Sequence, residues 1–322
     1  MSSKLISVCI PVLNEEDNIE TAYRRIDEVF QTLPGYEFEV VFTDNASTDR
    51  TFEILQKLAD KDDRVRVARF SCNQGYQRSI LAGNLLADGA AVIQLDCDMQ
   101  DPPEMIRDFI AKWEEGYDVV YGIRANRKEN VLLNIVRKAF YRILDLISDE
   151  HMPHDVGDFR LVDRKIVEVL RQIDDQNPYL RGTIARLGFR QHGIPYSRDE
   201  RVAGETKFNF RRLVALAMDA TVANSTLPLR MASYVGILLG LLAFGLAGWY
   251  VIARMFFGAN WPSGFATLAL LGLFNIAFTA SLFGVFGTYL IRVSQQVKSM
   301  PIAVIEKGVR VGRIRKSART MI

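Results

Sequence analysis

Cysteine and histidine are scarce, with three of each among 322 residues. Cys9, Cys72 and Cys97 have neither paired nor metal-type spacing, which argues against a disulfide framework and fits a reducing compartment. His151, His154 and His192 form no metal-ligand pattern and read as surface or loop residues. The chain lacks a Gly-x-Ser-x-Gly elbow for Ser/His/Asp catalysis and lacks a Gly-rich phosphate loop. It has no internal repeat. A charge excess is missing too: 40 Lys+Arg against 38 Asp+Glu leave +2, and nothing beyond a basic tail points to a nucleic acid. No signal peptide precedes the first strand-like run, so the soluble part is expected to stay in the cytoplasm.

Even charge does not mean even distribution. Charges are spread over residues 1–212, nearly vanish between 231 and 291, and return as a basic tail. Residues 231–253 and 265–291 carry no charge, and each run exceeds the ~20 apolar residues that cross a bilayer core. The short connector 254–264 makes the pair a hairpin. Arg211, Arg212 and Arg230 before it, with Arg292 and Lys298 after it, place both ends in the cytoplasm by the positive-inside rule. Residues 208–229 have helical apolar spacing and are a candidate interfacial amphipathic helix, or else a last packing helix of the soluble domain. The tail 293–322 has seven Lys/Arg from Lys298 onward against Glu306, a composition that suits anionic headgroups or a solvated end.

Residues 1–207 alternate short β-rich runs with helix-period segments. Strands are expected at 5–10, 38–43, 65–70, 90–95 and 117–121, and helices at 15–33, 51–58, 78–87 and 105–115. A second series gives a helix over 130–147, a loop and strand over 155–162 and a helix over 165–172. That alternation implies an α/β domain with a mostly parallel sheet covered on both faces, whose ligands sit beyond the carboxyl ends of the strands. Asn14-Glu15, Asp44-Asn45, the acids 96–101 and Arg124 all fall at such ends.

The most informative stretch is Gln94-Leu-Asp-Cys-Asp-Met-Gln-Asp-Pro-Pro103. Alternate residues of an extended chain point the same way, so Asp96, Asp98 and Gln100 can converge while Cys97 faces away. Carboxylates that close repel one another, and an oxygen-only set favours Mg²⁺ or Mn²⁺ with positions left for phosphate oxygens. A solvated acidic turn before the next helix is the bland alternative.

The segment resembles the Asp-x-Asp-x-Gln-Asp/His-Pro-Pro motif of family 2 inverting glycosyltransferases. It is most similar to the polyprenyl-phosphate branch, which includes dolichol-phosphate mannosyltransferases and bactoprenyl-phosphate glucosyltransferases. Pro11-Val-Leu-Asn-Glu-Glu16, Asp44-Asn-Ala-Ser-Thr-Asp49, Gly157-Asp-Phe-Arg-Leu161, and Arg198, Arg201, Gly204 with Thr206-Lys207-Phe208 resemble further family motifs in the family's order. One departure is Asn45-Ala46, where the family usually has Asp-Gly.

The resemblance implies a GT-A fold, Rossmann-like, as a catalytic domain (1–207) followed by a two-helix transmembrane hairpin (230–292). It implies a metal-dependent transfer of a hexose from a nucleotide-sugar, UDP-glucose first, to polyprenyl (undecaprenyl) phosphate. Pro11, Asn14, Glu15, Asp44, Asn45 and Asp96 would bind the donor, and Asp98 and Gln100 the metal. Asp158 would act as base or positioning group beside Asp96 and Asp98, and Arg124, Arg127, Arg160, Arg198, Arg201 and Lys207 would hold phosphates. The resemblance also implies a homotetramer in the inner (cytoplasmic) membrane. Truncation after about residue 230 is then expected to spare nucleotide binding but lose lipid glycosylation. Two other readings stay open: a processive polysaccharide synthase, for which the Gln-x-x-Arg-Trp motif and longer pore are missing, and a non-catalytic membrane scaffold.

Overall fold

The computed structural model describes residues 3–124, 156–197, 264–297 and 301–311, with isolated positions between 238 and 256. In chain order the elements are β1 (Lys4–Val12), α1 (Ile19–Gln31), β2 (Tyr36–Asp44), α2 (Thr51–Lys61), β3 (Val65–Phe70), α3 (Tyr76–Leu86) and β4 (Ala91–Gln94). After a 3₁₀ turn at Pro103–Met105 come α4 (Ile106–Glu114), β5 (Val119–Arg124), β6 (Val156–Asp163), α5 (Arg164–Gln172), α6 (Leu180–Arg186) and β7 (Gln191–Tyr196). The long helix α7 (Phe265–Val297) and the strand β8 (Ile305–Val309) complete the set.

Eight strands form one sheet in the order β7-β5-β6-β4-β1-β2-β3-β8. The central pairs β1/β2, β1/β4 and β2/β3 are parallel, as is β5/β7. The β4/β6, β5/β6 and β3/β8 pairs run antiparallel, so the sheet is more mixed than the alternation of elements implied. Period-2 patterning in the strands sends side chains to two cores. Ile6, Val8 and Ile10 of β1 pack against α1, α2 and α4, whereas Cys9 faces α3. On α1 the apolar positions recur at helical spacing, and Ile19, Ala22, Ile26, Val29 and Phe30 are its buried face.

The chain forms two compact units. The first comprises Met1–Asn134, Met152–Lys207 and Ser299–Ile322, and the second Ile135–His151 and Phe208–Lys298. Residues 301–311 therefore belong with the first unit and are not a solvated end. Strand β8 pairs with β3 from Val67↔Val309 to Phe70↔Ile305, and Ile302 is 4% exposed. A cut after residue 230 would remove this strand as well as the apolar segments.

The second unit is represented chiefly by α7. Among the described residues no helix is long and apolar enough to cross a membrane. Several α7 side chains fall outside that set, and over its full length the helix carries one charged residue, Arg292. The expected helices at 130–147 and 208–229, and most of 231–253, lie outside the described residues.

Candidate active site

Three turns at strand ends build the site, and each passes through the left-handed backbone region. Asn14 (φ 57°) follows β1, Ala46 (φ 61°) follows β2 and Met99 (φ 55°) follows β4. The first two loops are laced together. Asn14 Oδ1 accepts from Thr48 N at 2.8 Å, Asn14 N donates to Ser47 Oγ at 3.0 Å, and Glu15 N donates to Thr51 Oγ1 at 2.9 Å. Asp49 Oδ1 accepts from Thr51 N at 3.0 Å, just ahead of α2.

Ala46 marks where the chain departs from the usual family glycine. A side chain in the left-handed region costs about 1–2 kcal/mol, and glycine returns about 0.5–1 of that as lost chain entropy. Ala46→Gly is expected to raise Tm by about 2 °C in a domain of this size, with donor KM unchanged. A calorimetric melt checks it.

Beyond these loops lies an open cavity of about 320 Å³, lined among others by Pro11, Glu15, Asn45, Tyr76, Asp96 and Asp98. Asp44 is not in that lining. It is fully buried, with Oδ1 accepting Ser47 N at 2.9 Å and Oδ2 accepting Arg69 Nη1 at 3.1 Å. Arg69 Nη2 also donates to the Ser47 carbonyl at 3.1 Å. Asp44 thus fixes the loop, and Asn45 presents it to the cavity.

The acidic stretch is a turn rather than an extended run, because β4 ends at Gln94 and Met99 reverses the chain. Burial still alternates: Leu95, Cys97 and Met99 join the core, and Asp96, Asp98 and Gln100 stay partly exposed. Asp96 keeps some surface, but its carboxyl is enclosed. Burial, then the charges of Asp101, Asp98 and Asp158, outweigh a hydrogen bond from Tyr76 and push it up to about 6. That bond runs from the Tyr76 hydroxyl to Asp96 Oδ1 at 2.6 Å. Gln100 N donates to Asp98 Oδ1 at 3.2 Å. Asp98 and Gln100 supply oxygen ligands only, at a partly exposed turn beside the cavity, which suits Mg²⁺ or Mn²⁺ completed by phosphate oxygens. Among the described residues no group of three His, Cys, Asp or Glu could hold a metal by itself.

The basic residues fall in unexpected places. Arg160 is 3% exposed and donates through Nη2 to the Gly157 carbonyl at 2.8 Å, so it braces β6 rather than reaching outward. Arg124 lies over Gly157, where a Cβ would meet Nη2 at 2.7 Å. Its Nε donates to the Tyr196 hydroxyl at 3.3 Å, Nη2 stands 3.6 Å from Asp101 Oδ2, and the Tyr196 hydroxyl donates to Asp101 Oδ1. Asp158 is 8% exposed and pairs with Arg181 at 3.3 Å. Gln77 Nε2 also donates to Asp158, at 3.2 Å. Arg127, Arg198, Arg201 and Lys207 lie outside the described residues. Tyr76, Gln77, Gln94 and Arg181 had no signal in the motifs; a lone amide ending the buried run Ala-Val-Ile-Gln was the one clue available for Gln94.

Acids and amides gather beyond the ends of parallel strands around an open cavity, where Rossmann-like sheets place their ligands. The chain belongs to glycosyl transferase family 2, whose model matches residues 7–171. It is 38% identical over 304 residues to the uncharacterised glycosyltransferase YkcC of Bacillus subtilis, covering 94% of this chain and 93% of that one. It is 36% identical over 304 residues to the SfII prophage-derived bactoprenol glucosyl transferase of Shigella flexneri, covering 94% and 98%. Among solved structures it is similar to a mannosyltransferase of Pyrobaculum calidifontis in complex with GDP-Man and Mn²⁺, at 19% identity, TM-score 0.49 and coverage of 92% and 87%.

Proposed function

We propose that this glycosyltransferase moves a hexose from a UDP-sugar, UDP-glucose first, to a polyprenyl phosphate such as undecaprenyl phosphate, inverting the anomeric carbon. The observation that carries the reading is the open cavity walled by Asn45 at the end of β2 and by Asp96 and Asp98 after β4. Relatives named bactoprenol glucosyl transferases align along 94% of the chain, which supports a lipid acceptor.

Asp98 and Gln100 would hold Mg²⁺ or Mn²⁺, and the bound cation offsets charge on the departing diphosphate. Asn45, Glu15 and Pro11 line the space for the nucleotide, and Asp96 orients the donor. A phosphate monoester has a second pKa of roughly 6 and is largely dianionic near neutrality, so it attacks without a strong base. Asp158, held through Oδ2 by Gln77 and Arg181, is a positioning group under this reading. Arg127, Arg198, Arg201 and Lys207 are assigned to the lipid phosphate.

The membrane assignment rests on the two uncharged segments. At 1.5 Å per residue, 33 residues of α7 extend about 50 Å, against a hydrocarbon core of about 30 Å. Leu268, Leu271, Phe274, Ile276, Phe283 and Phe286 of that helix are exposed, an apolar surface that suits lipid better than water. We place α7 and residues 231–253 across the inner membrane, with the catalytic unit and both termini on the cytoplasmic side, in a homotetramer.

Incubating purified full-length protein with undecaprenyl phosphate, Mg²⁺ and UDP-glucose, UDP-galactose, UDP-N-acetylglucosamine or GDP-mannose tests the reading. Mass spectrometry should find a lipid heavier by one hexose, formed only with divalent cation. Nucleotide-sugar turnover with no glycosylated lipid would reject the acceptor.

A further inference from the structure

A second, closed pocket shares a wall with the open cavity. Pro11, Tyr76 and Asp96 line both, and the closed side adds Gln94 and Asp158. It has no room for a water molecule in this conformation. Gln94 ends β4, is 2% exposed, and pairs in register with Arg160 on β6. Among the described residues neither its amide nitrogen nor its amide oxygen has a hydrogen-bond partner, and Asp158 Oδ1 is likewise unpartnered. A buried polar group left so costs about 1–3 kcal/mol, and a leucine or methionine there would avoid that cost. The chain keeps an amide all the same.

The chemistry of the lining narrows what such an amide meets. Asp96 and Asp158 face the same space, so an anion is repelled. A carboxamide presents a donor and an acceptor side by side, the complement of a hydroxyl group, which also does both. A ring bearing several hydroxyls, attached to a nucleotide in the neighbouring cavity, meets both conditions. Tyr76 forms part of the shared wall, and its hydroxyl donates to Asp96 Oδ1 at 2.6 Å. Its side chain is 42% exposed, it begins α3, and it follows Gly75 at φ 83°, where a Cβ would touch nothing within 4 Å.

We propose that the closed pocket is the subsite for the transferred sugar ring, with Tyr76 as the wall between it and the nucleotide cavity, and that Gln94 determines specificity by pairing with one ring hydroxyl. This rests on the donor being a nucleotide-sugar and is independent of the acceptor.

The test is calorimetric binding by full-length wild type, Gln94→Leu and Gln94→Met. The ligands are UDP, the preferred donor of the four-member panel, and the monodeoxy analogues of that donor. Wild type should bind one deoxy donor about tenfold more weakly than the parent. Both variants should lose that discrimination, hold UDP within twofold of wild type, and melt no lower than wild type because an unsatisfied amide has been removed. Discrimination that survives in both variants overturns the proposal, as does a parallel loss of UDP binding. A Tm drop in both variants would mean Gln94 is structurally satisfied, and that also overturns it. Because no lipid is present, failure of the polyprenyl acceptor leaves these outcomes unchanged.

Discussion

Asp98→Asn is expected to lower transfer by about 10²–10³-fold while leaving the melting temperature where it was. The magnitude is that of removing one strong electrostatic contact to charge that develops in the transition state. The substitution is gentle on the fold. Asp98 is partly exposed, its neighbours Cys97 and Met99 anchor the turn in the core, and an asparagine Oδ1 can still accept from Gln100 N. What disappears is the charge, and with it most of the pull on a divalent cation. The defect should therefore shrink as Mg²⁺ or Mn²⁺ is raised, so activity is best measured across a metal titration. Full activity at low metal would show that Asp98 is not a ligand, whatever the rest of the site does.

Legibility in the sequence followed the strength of the local pattern. On α1 the five apolar positions read off the helical period are the five buried ones, because a thirteen-residue amphipathic helix determines its own inward face. The buried runs of β1 to β3 were equally plain. By contrast β7 (Gln-His-Gly-Ile-Pro-Tyr) is largely half-exposed and holds a proline, and β8 (Ile-Glu-Lys-Gly-Val) sits inside a basic tail. Edge strands bury little, so their patterns are weak, and only pairing in three dimensions makes them strands. The same holds at the site. Asp96, Asp98 and Asn45 were visible because acids and amides ending an apolar run stand out. Arginines misled, since charge alone cannot distinguish Arg160, turned in on Gly157, from a group aimed at a phosphate. Gln94 and Tyr76 take their meaning from the register of β4 against β6 and from the start of α3, which no spacing in the chain encodes.

Deleting 299–322 is expected to lower the melting temperature of the catalytic unit by about 10–20 °C, whereas deleting only 312–322 should leave it unchanged. The longer cut removes β8 from β3 and takes Ile302 out of a core that includes Phe70 and Ile80. Ile302 alone accounts for about 2–5 kcal/mol as a large-to-small core change. The strap holds by its polar groups as well. Arg78 Nη2 donates to the Pro301 carbonyl at 2.6 Å, Arg66 Nε to the Arg310 carbonyl at 3.1 Å, and Arg310 itself reaches the Ala59 carbonyl and Asp63. A total on the order of 5 kcal/mol corresponds to the stated drop at roughly 2–4 °C per kcal/mol. An uncovered β3 edge also invites pairing between molecules, so aggregation should accompany the loss. Donor binding should suffer too, through Arg69. That residue stands 3.7 Å from Glu306 on the strap and stacks on Phe52 while its guanidinium holds Asp44 and the Ser47 carbonyl. Equal melting of the two deletions would return the tail to the role of a solvated end. If the longer deletion alone melts early, the catalytic unit needs a strand that lies beyond the apolar segments, and no truncation ending before them can report on nucleotide binding by an intact site.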